Sequence, residues 1–155
     1  NQESNTNLNS FTDKTFYLLN VSAGFGRRVV ELVEPSADEN FIIDELTEDA
    51  LTVRHKIDDR HLRPGNTISG PTMFSMADIS LYILTMSRIG PVSLAVTINC
   101  SMDFMRKPEA ESDLIAKTRL LKLGKSLCVG DVLIFSEGKN EPVARASMTY
   151  SIPKK

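Results

Sequence analysis

The run from Arg63 to Gly90, RPGNTISGPTMFSMADISLYILTMSRIG, constrains this chain more than any other stretch. It opens on Pro64-Gly65 and Asn66, residues that break regular structure and make turns. Ser69 fits an N-cap, where a hydroxyl accepts from a first-turn N–H, and Pro71 fits the first helical turn, where a missing N–H is tolerated. No further Pro or Gly interrupts the chain up to Ser87, and Gly90-Pro91 closes the run. Met73, Met76, Ala77, Ser80, Leu81 and Leu84 recur at the i, i+3, i+4 spacing of one helical face, while Phe74, Ile79, Tyr82 and Ile83 occupy the other. A helix apolar nearly all round is expected to be buried, yet this one is too short and too often polar to span a bilayer.

Between Pro71 and Ser87 the helix carries one charge, Asp78. A carboxylate in an apolar interior is unfavourable unless it is paired or neutralised. Asp78 is therefore either the partner of a structural ion pair or a chemical group. A carboxylate set in an apolar wall is expected to be more basic than a solvated one, which suits a base working near neutrality.

The chain has 155 residues, enough for one core and one domain. A net charge of −2 gives no general affinity for nucleic acid or anionic membranes, so neither is expected as a partner. Cys100 and Cys128 lie in strand-like apolar runs without metal-ligand spacing, and with His55 and His61 as the chain's two histidines no metal site is expected. The expected location is cytoplasmic, since the sequence carries no signal peptide, lipidation signal or long apolar run.

Residues 1–40 read as a polar N-terminal tail and a short helical segment around Phe16–Val21, with 24–40 left open between helix, strand and loop. Strand-like runs follow at Phe41–Leu46 and Leu51–Ile57, a hairpin whose second strand alternates Leu51, Val53, His55 and Ile57 inward. His55 on that apolar side reads as a core or interface histidine. After the helix come Val92–Phe104, Leu114–Lys122, Ser126–Ser136 and Pro142–Ile152, separated by connections of hairpin length and expected to form a meander. One helix apolar all round needs a sheet curled about it, and the sheet's far face needs a cover, most economically a second copy of the chain. The expected class is α+β: a hotdog fold over residues 41–155, with a curved antiparallel sheet wrapped around one long central helix and dimerising to a double hotdog.

That order of elements, with Pro64-Gly65-x3-Ser69-Gly70-Pro71-x6-Asp78, resembles the hotdog-fold acyl-CoA thioesterases of the phenylacetate-pathway (PaaI-like) branch. The Phe104-Met105-Arg106-Lys107-Pro108 and Leu123-Gly124-Lys125-Ser126-Leu127 turns extend the match, which runs from about Phe41 to Pro153. The resemblance implies hydrolysis of an acyl-CoA thioester without a cofactor, coenzyme A being part of the substrate. It implies Gly70 as the backbone N–H donor to the oxyanion and Asp78 as general base or nucleophile. A helix N-terminus with unpaired N–H groups suits a developing oxyanion, and a Gly there leaves room for a carbonyl. Eight residues of helix separate the pair by about 12 Å, too far for both to reach one carbonyl within a chain. The resemblance resolves this by pairing the Gly of one subunit with the carboxylate of the other, in a dimer at least and a dimer of dimers (homotetramer) by the family's habit.

Two departures stand out. Many relatives read His-Gly-Gly at the helix start where this chain has Ser69-Gly70-Pro71, so Ser69 either caps the helix or substitutes for the imidazole, and Pro71 removes one N–H. Where some relatives carry a Ser on the next strand, this chain has Ala95, with Ser93 and Thr97 nearby. Asn66, Arg63, Ser69, Pro71, Thr97 and Tyr82 are candidates for substrate contact, and Arg106, Lys125, Lys107 and Lys122, at hairpin ends, for the phosphates of coenzyme A. The same cations also read as solvated turn charges. Met73, Phe74, Tyr82, Met86 and Met105 could give a deformable acyl pocket. A hotdog hydratase would want a His after Asp78, and none follows. The other alternative is a hotdog protein that binds or senses acyl-CoA without turning it over.

Overall fold

The computed structural model describes residues 41–89 and 95–154. The readings of the N-terminal tail, its helical segment and the Gly90-Pro91 stop lie outside the described residues. Strands β1 (Phe41–Leu46) and β2 (Ala50–His55) form the expected hairpin. A short 3-10 turn (Asp59–His61) leads into a two-residue ribbon, β3 (Leu62–Arg63) with β4 (Thr67–Ile68). Helix α1 spans Gly70–Ile89. Strands β5 (Val96–Phe104), β6 (Leu114–Leu123), β7 (Leu127–Ser136) and β8 (Ala144–Ser151) complete the chain.

The six long strands form one antiparallel sheet in the order β1-β2-β6-β7-β8-β5. The helix packs on one face of it, which is the hotdog arrangement. The expected meander holds for β6, β7 and β8 and fails for β5. That strand does not pair with its sequence neighbour β6; it crosses to β8 and becomes an edge, so the Arg106-Lys107-Pro108 segment is a crossover and not a hairpin. A hairpin-length gap is compatible with either geometry, and tertiary packing chose.

Alternating inward residues supply the core. Met76, Ala77 and Leu81 of α1 pack with Leu114, Val132, Ala146 and Met148, while Ile79, Ile83, Leu84 and Met86 meet Leu51 and Val53. Gly130 of β7 makes this approach possible: a Cβ there would overlap Leu81 Cδ1 and stand 3.0 Å from the Arg119 carbonyl oxygen. His55 is buried as expected of a core histidine, stacked on Phe41 at 4.1 Å and edge-on to His61 at 4.5 Å.

The helix is not covered all round. Pro71, Phe74 and Ser75 are exposed and Asp78 and Tyr82 half-buried, at the i, i+3, i+4, i+7, i+11 spacing of one stripe. Strand β5 is the edge of the sheet among the described residues, with Val96 and Ile98 more than half exposed. No helix among the described residues is long and apolar enough to cross a membrane.

Candidate active site

The start of α1 is built by the turn before it. Asn66 N–H donates to the Arg63 carbonyl (3.1 Å) around Pro64 and Gly65, and Gly65 has φ +93°. This is a type II turn, with Pro at its second position and Gly at its third, where φ must be positive. Asn66 follows in the left-handed region at φ 58° and is exposed. Its position is explained by backbone geometry, and it does not line the cleft described below.

Ser69 is the N-cap. Its Oγ accepts from Thr72 N–H (3.2 Å) and lies 2.7 Å from Thr72 Oγ1, while its carbonyl accepts the first helical bond, from Met73 N–H (3.3 Å). The Ser69 hydroxyl thus caps the helix, the first of the two roles expected of it. Pro71 has no N–H, and that of Thr72 is taken. Gly70 N–H is the donor left at this terminus, among the described residues.

Gly70 opens into a cleft of about 570 Å³ lined by Arg63, Ile68, Met73, Phe104, Met105, Arg106 and Lys107, among others. The Phe104 ring lies over Gly70, 3.6 Å from where a Cβ would stand, and is itself 55% exposed. Sequence reasoning noted Phe104 as part of a turn and missed its place above the helix terminus. Of the four cations named from the sequence for the phosphates of coenzyme A, Arg106 and Lys107 line this cleft. Arg106 is already engaged, donating to the Pro142 carbonyl (2.7 Å) and pairing with Glu141 (3.1 Å). Lys122 and Lys125 sit at the β6–β7 turn, the opposite end of the sheet. That turn adjoins the start of β5, because Leu127 and Val96 both pair with Ser151.

Asp78 is absent from the cleft, as the helical spacing requires. It is not set in an apolar wall either, which corrects that expectation. Thr97 Oγ1 donates to Asp78 Oδ1 at 2.7 Å. The Tyr150 hydroxyl also donates to Oδ1 and reaches the Asp78 main-chain carbonyl at 2.7 Å. Thr97 and Tyr150 are register partners on β5 and β8, so the two hydroxyls converge from adjacent strands. Burial, then the neighbouring Asp78 charge, pushes the Tyr150 phenol far above its ordinary range, so it stays protonated and donates. Tyr82, half-buried, meets Tyr150 edge-on at 5.7 Å, and burial raises its phenol too. Cys100, a free thiol, lies close enough for the Asp78 charge to add to the effect of burial in raising its pKa.

The structure therefore relocates several readings. Thr97 serves the carboxylate directly, two residues beyond buried Ala95. Met86 belongs to the core beside Leu51 and Val53 and not to an acyl pocket, whereas Met73 and Met105 line the cleft. Tyr150 was missed. Its signal was present: an aromatic with a polar tip at an inward position of β8, in step with Ala144, Ala146 and Met148, needs a hydrogen-bond partner inside.

Comparison with known proteins bears on what this arrangement does. Residues 65–143 match the family model described as the thioesterase superfamily. The chain is 30% identical over 104 residues to the Pseudomonas aeruginosa protein named "Putative esterase PA0474", covering 66% of this chain and 75% of that one. A crystal structure described as a putative thioesterase from Silicibacter sp. TM1040 is 51% identical, with a TM-score of 0.78 over 85% of this chain and 92% of that one. The smu.793 protein of Streptococcus mutans UA159, solved bound to acetyl CoA, shares the fold at 21% identity and a TM-score of 0.67, over 77% of this chain and 93% of that one.

Proposed function

This chain belongs to the thioesterase superfamily, and we propose that it hydrolyses acyl-CoA thioesters at sites formed between two copies of itself. In each site Gly70 N–H of one copy would hold the oxyanion, and Asp78 of the other would supply the base or nucleophile.

The observation that carries this reading is the polarity of β5. Asp78 is tied to the start of that strand through Thr97, and Gly70 lies under its end at Phe104. Among the described residues the strand is the edge of the sheet, carries exposed apolar residues and is flanked by the exposed and half-buried stripe of α1. Such an edge invites a second strand, and a two-fold pairing would run the two β5 strands antiparallel. The Thr97 end of one copy then meets the Phe104 end of the other, which carries Asp78 of one toward Gly70 of its partner. The same pairing brings Lys122 and Lys125 of one copy toward Arg106 and Lys107 of the other, cations suited to the phosphates of coenzyme A.

In the reaction, Asp78 takes a proton from water as the water oxygen bonds to the thioester carbon. The carbonyl oxygen becomes an oxyanion held by Gly70 N–H. Collapse breaks the C–S bond, and the departing thiolate takes the proton. Direct attack by the carboxylate would instead give a mixed anhydride, cleaved by water in a second step. Met73, Phe104 and Met105 offer a deformable apolar wall to the acyl group, suited to aromatic or medium aliphatic chains.

One observation favours a second reading, an acyl-CoA binder without turnover: Ser69 is spent on the cap and Pro71 has no N–H, so the oxyanion cradle is sparse. Thiol release from short, medium and aromatic acyl-CoAs, measured for wild type and Asp78→Asn, separates the two. Release by wild type alone is the expected result. Binding without release would establish the binder.

A further inference from the structure

We propose that Tyr150 is a positioning residue for this reaction, locking the Asp78 side chain so that Oδ2 is the oxygen that meets water or the thioester. The inference rests on the reading of Asp78 as the catalytic carboxylate.

The Tyr150 hydroxyl has one proton and two acceptors, both on one residue: the main-chain carbonyl and Oδ1 of Asp78. A single donor bridging the backbone and side chain of one residue fixes that side chain's rotamer. The donor is itself immobile. Tyr150 is 1% exposed, held in the β8 ladder between β5 and β7, and braced edge-on by Tyr82. Thr97 adds a second hydroxyl to the same oxygen at 2.7 Å.

Oδ1 therefore carries both donors, and among the described residues no group donates to Oδ2. The titratable groups facing the carboxylate are Tyr82 from its own helix, Cys100 from β5 and Tyr150 from β8. Burial and the Asp78 charge raise all three, which keeps them neutral in the working range, and Tyr150 donates to the carboxylate. Holding a reacting oxygen in one orientation avoids reorganisation at the moment of reaction, and a misplacement of about 1 Å can lower a rate a hundredfold. The effect belongs in kcat. Tyr150 lies beneath Asp78 in the core, where it does not meet the substrate, so binding is untouched.

The test compares wild type, Tyr150→Phe, Thr97→Val, Thr97→Ser and Asp78→Asn on the best acyl-CoA, with kcat, KM and Tm for each. Tyr150→Phe removes one oxygen and keeps the ring. It is expected to lower kcat about tenfold to a hundredfold while KM stays within about twofold. Thr97→Val is expected to lose kcat in the same way and Thr97→Ser to retain it. Wild-type kcat in Tyr150→Phe, or a loss confined to KM, with Asp78→Asn inactive, overturns the role of Tyr150 alone. Should Tyr150→Phe fail to fold, wild-type kcat in Thr97→Val overturns the lock on Oδ1. An active Asp78→Asn removes instead the premise that Asp78 is catalytic.

Discussion

The Phe104 ring stands 3.6 Å from the point where a Cβ on Gly70 would sit, at ordinary van der Waals contact. Gly70 does not have a positive φ, so an alanine there is strained neither sterically nor in its backbone. Gly70→Ala is expected to fold with unchanged or slightly higher stability, by up to about 1 kcal/mol, since alanine is the better helix former. The added methyl narrows the gap between the ring and the helix terminus, where a carbonyl must enter. Turnover is therefore expected to fall at least about tenfold with Tm preserved. A variant with full activity would detach Gly70 from the chemistry.

A site shared between subunits makes a sharper prediction than loss of activity. Asp78→Asn and Gly70→Ala homodimers each carry two damaged sites. A mixed dimer carries one site with both wild-type residues and one with both changes. After subunit exchange of an equal mixture, half the dimers are mixed and half their sites intact, so activity should recover to about a quarter of wild type. Activity no greater than the mean of the two variants would mean that Gly70 and Asp78 do not act across an interface.

Gly130→Ala tests the packing of sheet on helix. The new methyl would collide with Leu81, which has rotamers to spare, and with the Arg119 carbonyl at 3.0 Å, which does not. Overpacking of this kind costs roughly 1–3 kcal/mol, read as a lowered urea midpoint at unchanged slope. An unchanged midpoint would show that the sheet yields at this point.

Stability above pH 10 should report on Tyr150. In the unfolded chain its phenol ionises at the ordinary value of 10.0, while in the fold burial and the Asp78 charge hold it neutral far beyond that. Below pH 10 both states keep the proton and the group contributes no pH dependence. Above it the unfolded chain alone releases the proton, favouring unfolding by about 1.4 kcal/mol per pH unit. Cys128, whose thiol is also raised by burial, adds a similar loss from a lower starting point in every variant. Wild type should thus lose stability more steeply than Tyr150→Phe between pH 10 and 11, measured by urea unfolding. Parallel curves would contradict the buried, protonated phenol.

The local sequence determined a good deal here. The spacing of apolar residues after Ser69, with its hydroxyl and Pro71, was enough to place the central helix and its cap, because caps and helical periodicity are set within a few residues. Alternation marked β1, β2 and β6–β8 within a few residues of their ends, and the β1–β2 hairpin followed from its short turn. The Gly70–Asp78 separation could be read as well, since helical rise is fixed. What pattern alone could not supply was strand order and side-chain convergence. The connection after Phe104 has hairpin length, yet β5 pairs with β8, fifty residues away in places, and that pairing decides which residues reach Asp78. Tyr150 and Asp78 lie 72 positions apart, and no local spacing links them. The curled sheet brings their hydroxyl and carboxylate together, leaving one helical stripe uncovered beside an open edge. Convergence of this kind is a property of the packed layers, and so the environment of the carboxylate was fixed by tertiary structure alone.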